Sequence, residues 1–265
     1  MKLLYILIAV TCIVFAGCDK KVSYNADFTR TDAGNFTYIK FINAYPYATP
    51  SFASPANGPS IQLTYNGIQF SATPIALGAT YPASPGYAAI ERGIAALDMF
   101  VRMSSGTPPA TVSDQFLFST PATFVKNKYY SYFFADSIDN LSKRMLVVED
   151  DIREPGGPSL YRIRFVNLLA ALPAGTPTLD LYSTRTKGVI FTGIPSRGVT
   201  PFLEIPVQGV NIADTLQIRY AGSTTALATL NTVALQGQIS FTVFARGMVG
   251  ATGTRAPAIS TYRNR

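Results

Sequence analysis

The chain has 265 residues, with 17 Phe and 15 Tyr, no Trp, no His and two Cys. Charged residues make up 14% of it, against a usual share of about 25%, and the formal net charge is +7. So many aromatics with so little charge exclude a disordered chain. The absence of His excludes Ser-His-Asp and Cys-His catalysis and any imidazole metal site.

Residues 1–17 read as a secretion signal. Lys2 is the positive start, Leu3 to Phe15 is an apolar run, and Ala16-Gly17 are small residues before Cys18. The run is shorter than the ~20 residues that a membrane-spanning helix needs. Phe15-Ala16-Gly17-Cys18 resembles a bacterial lipobox, whose Cys is acylated and becomes the new N-terminus. Phe15 departs from the more common Leu. The resemblance implies a lipoprotein held to the membrane through Cys18, in the envelope of a Gram-negative cell and most often at its outer membrane. Two or more acyl chains, at ~0.8 kcal/mol per buried methylene, make a stable anchor. With Cys12 removed and Cys18 acylated, the body has no thiol for a disulfide or a thiolate site. Its basic residues (Lys40, Arg92, Arg102, Arg164, Arg219) are scattered, about one per predicted strand, rather than gathered into the stripe that nucleic acid requires.

Residues 18–36 are mostly polar and read as a tether of about 20–25 Å. A repeat follows. Ile39-Lys40-Phe41-Ile42-Asn43 recurs as Ile163-Arg164-Phe165-Val166-Asn167, an apolar–basic–apolar–apolar–Asn signature. A Pro-containing loop comes next each time, then Ile61-Gln62-Leu63 matched by Leu179-Asp180-Leu181. Val101-Arg102-Met103 matches Ile218-Arg219-Tyr220, and Val125-Lys126-Asn127-Lys128 matches Leu235-Gln236-Gly237-Gln238. Phe133-Phe134-Ala135 then matches Val243-Phe244-Ala245. Constant order with drifting spacing marks a tandem duplication.

The repeated elements are predicted strands: short, rich in β-branched and aromatic residues, and bounded by Gly, Pro, Asn and Asp. Asn66-Gly67 is a tight-hairpin dipeptide. Ile94 to Met99 is the one stretch with some helical character, and it leads into a strand. The expected fold is all-β, two tandem antiparallel β-sandwiches of immunoglobulin-like or transthyretin-like kind, at 37–152 and 159–265. Residues 153–158 form the linker. The acidic run before Pro155-Gly156-Gly157-Pro158 suits an exposed boundary, and its shortness predicts that the sandwiches lie close together.

The signature, the Pro-containing loop, the acidic junction and the lipobox together resemble domain of unknown function 4397, exported bacterial β-sandwich repeats often found on lipoproteins. The resemblance covers about 37–265 and implies fold and location without an activity. Members often carry His-x-Ser-Pro-Asp-Ala-Pro after the first strand and Val-Asp-Val-Tyr later. Here Asn43 and Asn167 replace the His, and Leu179-Asp180-Leu181-Tyr182 keeps the second motif.

Few residues offer chemistry. Glu91 and Glu204 lie in corresponding strands of different copies, which is a poor arrangement for a two-carboxylate hydrolase. Glu149-Asp150-Asp151 and Asp136-Ser137-Ile138-Asp139-Asn140 supply oxygen ligands without a calcium-loop spacing, and solvated linker charge explains the first of them better. Asp136-Ser137-Ile138 and Asp214-Thr215-Leu216 resemble an Asp-Ser/Thr-aliphatic O-glycosylation site at Ser137 and Thr215. Tyr45 and Tyr47, flanking Pro46 in a loop, are candidates for stacking on a sugar or a protein partner. No metal or cofactor is expected. The reading that fits best is a non-enzymatic envelope lipoprotein, a binding or structural module; the alternative is a carbohydrate-active accessory lipoprotein.

Overall fold

The signature pentapeptide of each copy forms the centre of a strand buried on both faces. A computed structural model describes residues 36–264, apart from 47–59, 66, 72, 84, 92, 105–111, 136–144, 171–177 and 208–211. All described residues fall within one compact unit spanning 33–265. The first copy contains β1 (Phe36–Asn43), β2 (Ser60–Tyr65), β3 (Ile68–Gln69), β4 (Thr80–Tyr81), β5 (Ala88–Glu91), β6 (Gly93–Ser104), β7 (Val112–Phe124), β8 (Tyr129–Phe134) and β9 (Met145–Glu149). The second contains β10 (Leu160–Asn167), β11 (Leu179–Ser183), β12 (Gly188–Ile194), β13 (Leu203–Pro206), β14 (Ile212–Tyr220), β15 (Ala226–Leu235), β16 (Ser240–Arg246) and β17 (Ala258–Arg263).

Each copy is a sandwich of two sheets, so the all-β prediction holds. The first copy pairs the sheet β4-β1-β8-β9, with β5 also on β1, with the sheet β3-β2-β6-β7. The second pairs β13-β10-β16-β17 with β12-β11-β14-β15, the same order, with β13 in the place of β5 and the Val166–Val199 bridge in the place of β4. The expectation of purely antiparallel sheets needs one correction in each copy. β1 runs parallel to β8, and β10 runs parallel to β16, over six residue pairs in the same register. A parallel pair needs a long crossover. Here the whole second sheet is built between the two strands, and it serves as that crossover.

Parallel central strands are typically buried on both sides and read as continuous apolar runs. β10 and β16 follow this rule, with burial along nearly their full length. Side chains alternate between two destinations. Ile39, Phe41 and Tyr45 enter the core of the first sandwich together with Tyr132 and Phe134. Ile163, Phe165 and Leu169 enter the core of the second with Phe241 and Val243. The opposite faces of β1, β8, β10 and β16 meet each other. Ile42, Ala44, Phe133, Val166, Leu168, Phe244 and Tyr262 form a third core between the sandwiches. Phe133 and Phe244 are equivalent residues, and their rings pack edge-on at 5.9 Å. The copies therefore meet through like surfaces, as in a two-fold dimer.

The junction is correspondingly tight. Pro155 is buried, and a Cβ at Gly237 would lie 1.9 Å from the Pro158 carbonyl oxygen, so no side chain fits there.

Three of the sequence matches shift. Ile42 pairs with Phe133 and Val166 with Phe244, so Phe133 corresponds to Phe244, one position later than the sequence match suggests. Asn127 and Gln238 occupy the left-handed turn before each of these strands, at φ 57° and 64°. The sequence match, which pairs Asn127 with Gly237, is therefore one residue short. In the outer sheets, Gln62 pairs with Phe100 while Asp180 pairs with Arg219, a shift of two residues that leaves the face unchanged.

Candidate functional site

The signature Asn is a clasp. Asn43 Nδ2 donates to the Ile75 carbonyl (2.8 Å), and its Oδ1 accepts the Tyr45 N–H (3.0 Å). Asn167 repeats both bonds, with the Ile194 carbonyl (2.9 Å) and the Leu169 N–H (3.2 Å). The same two residues hold the next turn through their main chains: Asn43 with Gly78 and Ala79, Asn167 with Arg197 and Gly198. The turn drawn in by Asn43 carries Tyr45 into the core, where it is 2% exposed. This corrects the reading of Tyr45 as an exposed stacking residue. Tyr47 lies outside the described residues, as do Cys18 and Ser137. Thr215 is half-buried on the central strand β14, with its carbonyl accepting the Thr184 N–H (3.0 Å), and Asp214 beside it is buried against Ser183 Oγ (2.6 Å).

The acidic run is not solvated linker charge throughout. Glu149 pairs with Lys128 at the surface, Asp151 with Arg153 and Arg162, and Asp150 with Arg164 in the interior. Each carboxylate already has a cation, and among the described residues no group of three acidic or thiol ligands gathers. Arg153 and Arg162 hold the Asp151 carboxyl well below the usual range. Glu204 accepts the Gly156 N–H (3.2 Å) at the junction. Glu91 pairs by backbone with Phe36 in the other sandwich, so the two glutamates belong to separate places.

Between the sandwiches lies a polar cluster built on the basic residue of each signature. Arg164 Nη2 donates to Asp150 Oδ1 and to the Tyr262 hydroxyl (3.1 Å), while its Nε donates to Thr242 Oγ1 (2.8 Å). Asp150 Oδ2 accepts from Ser131 Oγ (2.6 Å) and from the Tyr87 hydroxyl (2.7 Å). Tyr262 in turn donates to Ser131 Oγ (2.7 Å), and Asn264 Nδ2 donates to the Tyr87 hydroxyl (3.0 Å). Lys40 is fully buried beside them. Its Nζ donates to the Gly86 carbonyl (2.5 Å) and lies 4.6 Å from the Tyr87 ring centre and 5.5 Å from that of Tyr262.

Burial pulls the Lys40 ammonium down to about 8, with the Asp150 charge only partly opposing it. Burial pushes the Tyr87 hydroxyl far above its ordinary range, and the Asp150 charge adds to this. Burial alone would lower the Arg164 guanidinium; Tyr262 and Asp150 outweigh it, so Arg164 stays charged. Sequence reading missed this cluster because its parts are spread from residue 40 to residue 264. The one available signal was a basic residue repeated inside an apolar strand.

A second feature is an open recess of about 240 Å³ between the edge strands β15 and β17. Ile239, Phe241, Leu230 and Val233 form its apolar floor, and Asn231, Thr261 and Arg263 stand at its rim. Its volume lies below the ~300–1,000 Å³ usual for small-molecule pockets. On the outer sheet, Asp180 accepts N–H bonds from Gly193 (2.7 Å) and Gly222 (3.0 Å) and a hydroxyl bond from Thr192 (3.0 Å). Its motif position is thus a fastening of two turns. Among the described residues, no helix is long and apolar enough to cross a membrane.

No family model matches the chain, and no curated protein matches it. Among solved structures, the chain is similar to a crystal structure described as a candidate cell adhesion protein from Bacteroides fragilis NCTC 9343. The two are 10% identical, the match covers 87% of this chain and 98% of that one, and the TM-score is 0.20. A likeness at that score informs neither topology nor function.

Proposed function

We propose that the chain is a lipid-anchored, non-catalytic module of the Gram-negative envelope, held at the outer membrane through Cys18, with its paired sandwiches acting as one binding or structural body. The observation that carries this reading is where the polar residues of the duplicated motifs go. Asn43 and Asn167 fasten turns, Asp180 and Asp214 fasten hairpins, and Asp150 with Arg164 fastens one copy to the other. The chemistry-bearing side chains serve the scaffold, and a scaffold this consolidated suits presentation rather than turnover. The lipobox-like Phe15-Ala16-Gly17-Cys18 and the resemblance to domain of unknown function 4397 support the location.

The test is fractionation of the full chain expressed in a Gram-negative host. The wild-type chain should sediment with membranes, and Cys18→Ala should move to the soluble fraction. Retention of Cys18→Ala on salt-washed membranes sinks the anchor. Release of reducing ends when the purified chain is incubated with envelope polysaccharide sinks the non-catalytic part and restores the carbohydrate-active alternative.

A further inference from the structure

The joint between the copies is nearly symmetric, and it breaks symmetry at one charge. Asp150 follows β9, and its N–H bonds the Tyr129 carbonyl; Asn264 follows β17, and its N–H bonds the Ser240 carbonyl. Tyr129 and Ser240 hold equivalent places in the two parallel ladders, so Asp150 and Asn264 are counterparts. Ser131 donates to Asp150 as its counterpart Thr242 donates to Asn264 (2.7 Å). Lys40 and Arg164 are likewise counterparts. Symmetry would give each cation a carboxylate from the other copy. Arg164 has Asp150, but the counterpart of Asp150 in the second copy is the amide of Asn264.

Among the described residues Lys40 is therefore a buried cation without an ion pair within 4.0 Å, while its three donors find one main-chain acceptor and two ring faces. Ammonium burial without a paired carboxylate is among the costlier arrangements in a protein interior. With Lys40 protonated the cluster holds two cations and one anion; with Lys40 neutral it holds one of each.

We propose that this joint is a proton-operated clasp: loss of the Lys40 proton removes its one unbalanced charge and tightens the two sandwiches against each other. The Tyr87 ring ahead of β5 and the Tyr262 ring on β17 stand against Lys40, the Asp150 charge after β9 acts on it, and Arg164 on β10 and Asn264 after β17 are joined to these groups by hydrogen bonds. Arg164 stays charged, and both tyrosines are held above their ordinary range by burial, so Lys40 is the group that releases a proton first on the alkaline side. The chain has no His, so few other groups titrate near neutrality.

The sign follows from linkage. Unfolded lysine titrates at 10.5 and folded Lys40 near 8. Between those values the unfolded chain binds more protons, so the Lys40 contribution to stability rises with pH in that window and is flat below it. Above about pH 10 the unfolded tyrosines ionise while Tyr87 and Tyr262 do not, which reverses the trend.

Thermal unfolding of the full chain from about pH 7 to about pH 9.5 tests the proposal. The wild-type melting temperature should rise by about 5 °C across that range. Asn264→Asp supplies the missing carboxylate, so it should melt higher than wild type at pH 7 and lose the alkaline rise. Lys40→Met should also be flat with pH. A direct readout is the Lys40 side-chain resonance of ¹³C-labelled protein, which should titrate near 8 in the wild type and move upward in Asn264→Asp. An alkaline rise that persists in Asn264→Asp, or a Lys40 resonance titrating as an ordinary lysine, overturns it.

Discussion

At the signature turns of the inner sheets the two copies keep the same solution, whereas in the outer sheets they have drifted. Asn43 and Asn167 make the same bonds to the same turn positions. At the corresponding outer position the first copy has Gln62, which donates to the Ser71 carbonyl (2.8 Å), and the second has Asp180, which accepts from three partners. A similar contrast appears at the open side. The exposed Lys128–Glu149 pair guards the first sandwich, while in the second Ile239 and Arg263 take those places and the recess lies open. Charged side chains at an edge deter strand pairing by other chains, so the first sandwich is the better protected. Where a residue's partners are main-chain atoms of a fixed turn, its identity is pinned. Where both partners can change together, it is free to drift.

The sharpest break of the comparison uses the two signature cations. Arg164→Met leaves Asp150 buried without its ion pair and should cost about 3–5 kcal/mol, lowering the melting temperature by about 10 °C. Lys40→Met, at the equivalent position, should cost nothing at neutral pH. Circular dichroism melts decide this, and equal losses would show that Asp150 is shared between the two cations.

Next come the clasps. Asn43→Ala and Asn167→Ala each strand a buried carbonyl and an N–H, for about 2–3 kcal/mol apiece. Denaturant midpoints should fall by similar amounts in the two variants. A loss confined to one variant would mean that the second sandwich tolerates what the first does not.

The smallest effect is expected on the outer sheet. Burial alone would raise the Asp180 carboxyl, but N–H bonds from Gly222 and Gly193 hold it low. The stability it adds is present above the ordinary carboxylate range and is lost as pH falls through its lowered value. Asp180→Asn should cost about 1 kcal/mol at neutral pH and soften the acid limb of the stability curve. Gln62→Ala should leave that limb unchanged.

Strand content, the duplication and the all-β class were legible because alternation and turn residues are local signals. The one-residue slip at Phe133 was not, since Tyr129-Tyr130-Ser131-Tyr132-Phe133-Phe134 is large and apolar on both faces and offers no alternation to fix its register. A strand buried on both sides gives that ambiguity by its nature. Asp150 misled for the converse reason: its neighbours Glu149 and Asp151 are surface residues, and nothing local marks the middle one as facing Arg164. Tyr45 looked like a loop tip because the clasp that draws it inward is made with Ile75, thirty residues on.

The parallel pairing of β1 with β8 also has a consequence for how the chain acquires its shape. Tyr38 finds its ladder partner at Tyr129, so β1 cannot be seated until the whole outer sheet has passed by. In a chain that emerges N-terminus first, β1 is the first described strand to appear, and it waits through some ninety residues before its central neighbour exists. Contacts this distant in sequence slow folding and leave apolar edges open meanwhile. The Phe41 and Ile42 faces of β1 are the surface that a holding chaperone would need to cover, until the arrival of β8 closes one side and the second sandwich closes the other.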